Sequence, residues 1–457
     1  MYWKTLFSER RLGDTKKGNA FSPDRSNFEK DYDRVIFSSA FRRMQDKTQV
    51  IPLPESDFVH TRLTHSLEVS CVGRSLGKIV GKEIIDRNRL KKILSVPDFG
   101  AIVATSCLSH DIGNPPFGHS GESAISNYFK NGNGKKYEEL INDKEKWSDL
   151  INFEGNANGF KLITKSGKSV GGGIKLTYTA LASFVKYPTK SYKEKSEREN
   201  YKDNISFKKY GYFQSDKDIF YEIFDELEIN KIEKYYYSRH PIAFLVEASD
   251  DICYRIMDFE DGIRIGLIPF SKGEDLLREI VGKDFDSRKY SAIKDKRERI
   301  GYLRAKAINR LLKECSDIFL DNEKDILKGK FDEQLIDNIE LKNTLYEIEK
   351  ISIEKVYKSK NVIQIEVAGF KVVGGLLVMF IEAVNDLYEF KNRKTLRKEK
   401  PLSDNLIDLL PEQFLSEGKP SEDLYERILQ VCEFVAGMTD TYAVMLFKRL
   451  QGIELPK

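Results

Sequence analysis

Histidine is scarce in this chain, so its placement is informative. The five are His60, His65, His110, His119 and His240. Two of them bound the run Ser109-His110-Asp111-Ile112-Gly113-Asn114-Pro115-Pro116-Phe117-Gly118-His119. A His-Asp dipeptide at the C-terminal end of an apolar helix sets imidazole and carboxylate about 100° apart on the helix surface. Both can then reach one ion placed between them. Imidazole nitrogen with carboxylate oxygen suits zinc, manganese, iron or cobalt, and carboxylates with water suit magnesium. A lone His-Asp pair is common, and fits a helix-end histidine beside an exposed carboxylate equally well. Two further stretches change the balance. Arg62-Leu63-Thr64-His65 opens the preceding amphipathic segment with a second histidine. Later, Asp250, Tyr254 and Asp258 fall at i, i+4 and i+8, one stripe of a helix. That stripe runs beside Leu245, Ile252, Ile256 and Phe259. Acids in such surroundings are costly to bury without a partner. A metal and a polar ligand would be suitable partners; a solvated acidic face is the plainer alternative.

The elements that position these groups read as helical. Asn27–Met44 carries Phe28, Tyr32, Val35, Ile36, Ala40, Phe41 and Met44 at spacings of three and four, behind a Ser26/Glu29 capping box. A second helix is expected from about Thr64, and a third from about Pro97 to Ile112, ended by Gly113 and Pro115-Pro116. More are expected near 120–130, 174–186, 215–227, 241–261, 301–320, 364–390 and 421–451. Strand signals are sparse, so the fold class is all-α. Linker-like stretches lie at 131–136, 166–173 and 188–210, the last expected to be exposed. Residues 1–265 hold nearly all the chemically suggestive side chains, and 266–457 read as helical scaffold, with a soft boundary near 265–275.

The chain has 457 residues, 40% apolar and 32% charged, which suits a globular protein. Lys+Arg is 75 against Asp+Glu 72, so the balance supplies no global drive toward nucleic acid or membrane. The five cysteines show no CxxC pair, and buried free thiols in a reducing compartment fit them best. The N-terminal residues lack the apolar core of a signal peptide. The apolar stretch around Val372–Ala383 reads as too short to span a bilayer. The cytoplasm is the expected compartment, with no membrane partner. Ser166-Gly167-Lys168-Ser169 imitates the end of a phosphate-binding P-loop, but Leu162 stands where the pattern needs glycine, so a plain loop is expected.

The order His65, His110-Asp111, Asp250 resembles that of the HD-domain phosphohydrolases. The stretches Phe41–Val50, Thr61–Val69, His110–Glu122, Phe153–Ala157, Lys186-Tyr187-Pro188, Ser249–Tyr254 and Gly437–Asp440 look like successive motifs of bacterial dGTPases. Thr441 departs from the pattern, where a basic residue is expected after Met-Thr-Asp, and this weakens any inference about subunit contacts there.

The resemblance implies that His65, His110, Asp111 and Asp250 hold one divalent ion, manganese or magnesium first, with cobalt, iron, nickel or zinc as alternatives. His119 and Glu122, three apart, share a helix face. Glu122 is expected to orient His119 and to stabilise its protonated form while His119 shuttles a proton near the α-phosphate. Arg62 and Lys186 are the favoured phosphate clamps, with Tyr187 beside them. Gln49, Tyr254 and Asp258 resemble the family's sugar pocket, with Tyr254 closing off a 2′-hydroxyl and Gln49 and Asp258 bonding the 3′-hydroxyl. His60 and His240 have no motif support. The expected activity is hydrolysis of a deoxynucleoside triphosphate, dGTP favoured, to deoxynucleoside and triphosphate. The alternatives are an HD phosphohydrolase of broader nucleotide preference, or a regulatory protein binding nucleotide or single-stranded DNA. The resemblance also implies a homo-oligomer, with a hexamer as one option, and an effector role for single-stranded DNA or a nucleotide.

Overall fold

A computed structural model describes residues 1–14, 25–49, 60–165, 174–233, 236–392, 401–415 and 418–455. Helices dominate. Among the described residues, the one sheet is the antiparallel pair Lys231–Glu233 and Tyr236–Tyr237. The all-α expectation therefore holds.

The two helices that carry the HD-type motif lie against each other at close range. Arg62–Arg87 begins behind a capping box on Thr61, and Val96–Ser109 begins behind another on Ser95. Their contact is close because the first helix is shaved along one stripe. A Cβ on Gly77 would stand 2.8 Å from Val103, and one on Gly81 would stand 2.7 Å from Phe99. Larger residues there would push the helices apart and separate His65 from His110. The third helix of the site, Pro241–Arg264, packs on both. It begins with Pro241 at its first turn, capped by the His240 side chain, which accepts from Ile242 N–H.

Buried apolar side chains form two clusters. One runs from Trp3 and Leu6 through the three site helices to Val356. The other joins the His119–Lys130 helix to Lys360–Asn392, Leu424–Ala436 and Asp440–Leu450. Residues on both sides of position 265 contribute to each cluster.

Several sequence expectations need correction. The helix expected over 27–44 breaks at Ser38, whose hydroxyl caps Ser39–Arg43 by accepting from Phe41 N–H at 3.2 Å. The helix expected over 421–451 breaks at Gly437–Thr439, where Thr439 caps the second half. Residues 131–136 lead into a short 3₁₀ turn, Asn133–Tyr137. The 188–210 stretch is exposed at its centre, but Thr189, Lys190, Ser206 and Phe207 are buried. Its polar composition hides pairing, such as Lys190 to Glu145 at 2.5 Å and Ser191 Oγ–H to Asp149 at 2.5 Å. Cys71 is exposed, while Cys107, Cys253, Cys315 and Cys432 are buried, and all five are free thiols. The apolar stretch at 372–383 belongs to a helix of 33 residues, and Val362–Glu389 is long and apolar enough by composition to cross a membrane. Half of its most apolar window is buried inside the protein, in the second cluster. The 166–173 loop, with its P-loop-like run, lies outside the described residues.

Candidate active site

His65 stands in the first turn of its helix and His110 just past the last turn of the next, and the tight helix pair brings their rings to 5.5 Å between centroids. His110 Nδ1 lies 2.7 Å from the Cys107 carbonyl oxygen. A carbonyl can only accept, so Nδ1 carries the proton and Nε2 is left as the ligand atom. The ligand atoms of His65, His110 and Asp111 all lie within 4.8 Å of one another. Asp250 comes from the third helix, with Oδ1 3.2 Å from His65 Nε2 and 3.4 Å from His110 Nε2. Asp250 thus stands beside both imidazoles, and the gathered set of two imidazoles and two carboxylates fits a divalent cation. The four groups are also coupled electrostatically. Burial opposes charge on His110, but Asp111 and Asp250 outweigh it and hold the imidazole up at about 9. Burial likewise opposes charge on Asp111, and Arg62 and both histidines hold it down at about 2. Asp250 is held well below the usual carboxylate range, against burial, by His110 and His65.

The turn after His110 is fastened on both sides. Asn114 donates to Asp111 Oδ1 at 2.6 Å, and Asn158 donates to the Gly113 carbonyl at 2.7 Å. Phe117 and Gly118 take positive φ, 62° and 55°. At Gly118 a Cβ would stand 2.7 Å from the Arg62 guanidinium, so glycine both relieves the backbone and admits Arg62. The C-terminal Gly437–Asp440 motif also acts here. Buried Asp440 accepts from Thr48 N–H at 3.0 Å, from its hydroxyl at 2.6 Å and from Phe117 N–H at 2.9 Å. The Lys47 ammonium donates to the Asn114 and Ala436 carbonyls. Thr441, where a basic residue was expected, donates to Asp46 at 2.9 Å within the same chain.

His110, Asp111, Asp250, Asn114, Thr48, Phe117 and Gly118 border a cavity of about 530 Å³ that is also lined by Gln49, Arg62, His119, Glu122, Lys186, Tyr187, Tyr254 and Asp258. Every sequence-predicted site residue except His65 is in its lining, and His65 is buried directly behind Asp250. Several are engaged differently from expectation. Glu122 does not pair with His119; its Oε1 accepts from Gly155 N–H at 2.8 Å. Burial first and the neighbouring Glu154 second raise the Glu122 carboxyl to about 7. His119 is held below the ordinary imidazole value by burial, then by the Lys209 and Arg62 cations. The helix start places the two residues on one face, but the Phe153–Ala157 backbone captures the glutamate. Both presumed clamps are already paired, Arg62 with Asp111 at 2.5 Å and Lys186 with Glu247 at 3.3 Å. Lys186 also stands over the Tyr187 ring, at 5.9 Å.

Asp258 is buried, and two polar atoms in the cavity wall have no partner, Asp258 Oδ1 and Gln49 Oε1. Unpartnered buried oxygens are uncommon and mark places where a ligand can bond. Burial raises Asp258 to about 7, against the favourable effects of His65 and Tyr357.

Sequence reasoning missed several lining residues. Tyr357 lies far along the chain, in the π-helical turn Ile353–Tyr357. Its ring stacks on Tyr254 at 5.6 Å and 7°, and its hydroxyl donates to Asp258. Lys209, paired with Glu154 at 2.9 Å, comes from the polar stretch read as a linker. Glu247, Asp251 and Glu366 complete the acidic part of the lining. Glu247 and Asp251 sit on the Asp250 helix and could have been found by extending that stripe. Tyr357 and Lys209 carry no local signal. His60 and His240 are structural: His60 bridges Asp261 at 2.6 Å and Glu68 at 3.0 Å, and buried His240 caps a helix.

Comparison with known proteins agrees with this arrangement. Residues 62–169 match the HD domain family. The chain is 43% identical to a deoxyguanosinetriphosphate triphosphohydrolase-like protein of Synechocystis sp., covering all of both chains. It is 38% identical to a protein of the same description from Pseudomonas aeruginosa, again over all of both chains. It is 29% identical to the deoxyguanosinetriphosphate triphosphohydrolase of Salmonella paratyphi A, over 93% of this chain and 94% of that one. With an HD motif folded into a closed helical site and full-length relatives at this identity, the chain belongs to the deoxyguanosinetriphosphate triphosphohydrolase-like family of HD-domain hydrolases.

Proposed function

We propose that this protein hydrolyses deoxynucleoside triphosphates to deoxynucleoside and inorganic triphosphate, with dGTP the favoured substrate. The observation that carries the reading is the make-up of one cavity. Its wall joins His110, Asp111 and Asp250, backed by His65, with two unpartnered buried oxygens, on Gln49 and Asp258. The cations Arg62, Lys186 and Lys209 line the same cavity. A volume of about 530 Å³ falls within the range of small-ligand sites.

A divalent ion bound by His65, His110, Asp111 and Asp250 would polarise a phosphoryl oxygen and lower the pKa of bound water. The chain's own groups supply the rest. Arg62, Lys186 and Lys209 meet the phosphates, and their carboxylate partners keep them aimed into the cavity. His119, held neutral by its surroundings, moves a proton at the α-phosphate. Glu122 braces the Gly155 turn that faces it. Asp258 Oδ1 and Gln49 Oε1 accept from the 3′-hydroxyl, and the Tyr254 ring lies where a 2′-hydroxyl would stand. For the base, the Glu366 carboxylate on the cavity wall is an acceptor pair that matches the N1–H and N2–H donors of guanine.

The cavity draws on both halves of the chain, since residues beyond 265 bring Tyr357, Val362, Ile365 and Glu366. We read 1–265 as the HD-type core and 266–457 as the region that closes the substrate pocket. The same long helix exposes Ile363, Val367 and Phe370 at helical spacing. A second copy of this chain would cover that face, in keeping with a homo-oligomer.

The test is to incubate the purified protein with each dNTP and manganese and separate the products by chromatography. The proposal expects deoxynucleoside release, fastest from dGTP, abolished by a chelator and by His110→Ala. Equal release from all four dNTPs would replace the dGTP preference with the broader reading, and no release from any would remove the function.

A further inference from the structure

Behind Lys209 a second cleft of about 410 Å³ opens on the surface. It shares two wall residues with the substrate cavity, Lys209 and Glu154, so the two spaces meet at one ion pair. Five cations line it: Lys193, Arg198, Lys202, Lys208 and Lys209. Its acids are Glu154 and Glu197, which leaves an excess of three positive charges in a chain whose overall excess is also only +3. The cleft is thus locally basic in a chain whose overall charge is nearly balanced.

The cleft is also structured. Lys193 is tied down, its ammonium donating to the Phe207 carbonyl and, at 3.0 Å, to the Lys209 carbonyl. Arg198 Nε donates to the Lys193 carbonyl at 2.9 Å. Burial first, then the Arg198 charge, pushes the Lys193 ammonium down to about 8, while Glu197 opposes the shift. Aromatic side chains are present but used up. Tyr201 and Phe207 stack on each other at 4.5 Å and 9°, and Tyr236 meets Phe207 edge-on at 5.0 Å. The cleft therefore offers cations and hydroxyls, while its Tyr201 and Phe207 rings are engaged with each other.

We propose that this cleft binds a linear oligophosphate, namely the triphosphate released from the adjoining cavity, as it leaves past Lys209. The inference rests on the function proposed above, because only cleavage at the α-phosphorus yields that anion. Released triphosphate carries several negative charges and would otherwise stay bound among Arg62, Lys186 and Lys209. A ladder of further cations on the far side of Lys209 offers equivalent partners at each step outward, which lowers the cost of leaving.

Titration calorimetry of the full-length, manganese-loaded protein with sodium tripolyphosphate tests this. Two classes of site are expected. A dGTP analogue with methylene in place of the 5′-oxygen, which lacks the scissile bond, should displace tripolyphosphate from one and not from the other. In the Lys202→Glu/Lys208→Glu double variant the second class should weaken by about 10-fold or more, the scale of a lost charge-assisted contact, while the first stays. Lys202→Gln/Lys208→Gln, which removes charge without reversing it, should weaken it less, and circular dichroism establishes that both variants fold. A single class displaced by the nucleotide, or a second class indifferent to these changes, would overturn the proposal. So would a second class that takes the nucleotide more tightly than tripolyphosphate. Binding is read without turnover, so a protein inactive on dNTPs would overturn the function above while this titration still decided the cleft.

Discussion

The hydroxyl of Tyr357 donates a 2.7 Å hydrogen bond to Asp258 Oδ2, joining residues 99 apart in sequence in the cavity wall. Because Oδ2 is taken, Asp258 is fixed with Oδ1 free to accept from a ligand. The same ring stacks on Tyr254, so one side chain from the C-terminal half orients two of the three residues assigned to the sugar. Tyr357→Phe keeps the stack and loses the bond. It should raise KM for dGTP by about 10-fold, the scale of a hydrogen bond to a charged group, with a smaller change in kcat. Tyr357→Ala loses both and should also narrow the preference for dGTP over GTP. Steady-state kinetics with both nucleotides checks this, and an unaltered KM in the Phe variant would remove Tyr357 from substrate positioning.

Asp258 sets a pH dependence. Its carboxyl is raised by burial to about 7. A carboxyl so raised is neutral below that pH and ionised above it, and the ionised form is the better acceptor for a 3′-hydroxyl. The ratio of kcat/KM for a dNTP to that for its 2′,3′-dideoxy analogue should therefore rise between about pH 6 and 8. The ratio cancels titrations that affect both substrates alike. The stability sign is opposite. The folded chain holds a proton on Asp258 that the unfolded chain has lost, so this residue's contribution to stability declines as pH rises from about 4 toward 7. A flat substrate ratio would show that Asp258 does not meet the 3′-hydroxyl.

His119 stands in the cavity and is held below the usual imidazole value by burial, Lys209 and Arg62. It is therefore neutral at pH 7 and able to take a proton. His119→Ala should lower kcat by about 10²–10⁴-fold, the range for loss of a general acid or base, with manganese affinity unchanged by calorimetry. Because Glu122 braces Gly155 rather than His119, Glu122→Gln should lower kcat less than His119→Ala does. Equal losses would show that the two act as a pair.

Asp440 is a fastening residue. Its carboxylate takes hydrogen bonds from Thr48 and from the Phe117 backbone, next to Gln49 and Gly118. Asp440→Ala leaves the Phe117 amide unsatisfied in a buried place and should cost about 1–3 kcal/mol of stability. The urea midpoint should fall, and KM should rise as Gln49 loses its anchor. A midpoint equal to wild type would show that the C-terminal motif does not hold the site together.

The candidate metal cluster was legible in sequence because its order resembles that of the HD-domain phosphohydrolases and because local spacing supported it. His110-Asp111 ends an apolar helix, and Asp250, Tyr254 and Asp258 repeat at helical spacing. Glycines at 73, 77 and 81 record the close approach of two helices once the partner is known. The partners of these groups were not legible. Tyr357 is one tyrosine among 22, set in place by a π-helical turn whose neighbours are distant in sequence. Lys209 stood in a polar run that composition marks as exposed, although its pairing with Glu154 turns it inward. Glu122 was placed on the right face but given the wrong partner, because a backbone N–H from another segment lies closer than the imidazole.

The central claim is that water attacks the α-phosphorus and that triphosphate leaves whole. Hydrolysis of dGTP in ¹⁸O-enriched water, followed by phosphorus NMR and mass spectrometry of both products, tests it most directly. The account predicts intact inorganic triphosphate carrying the label on a terminal phosphorus, and deoxyguanosine with an unlabelled 5′-hydroxyl. Orthophosphate or pyrophosphate as the first product, or label in the deoxyguanosine, would contradict it.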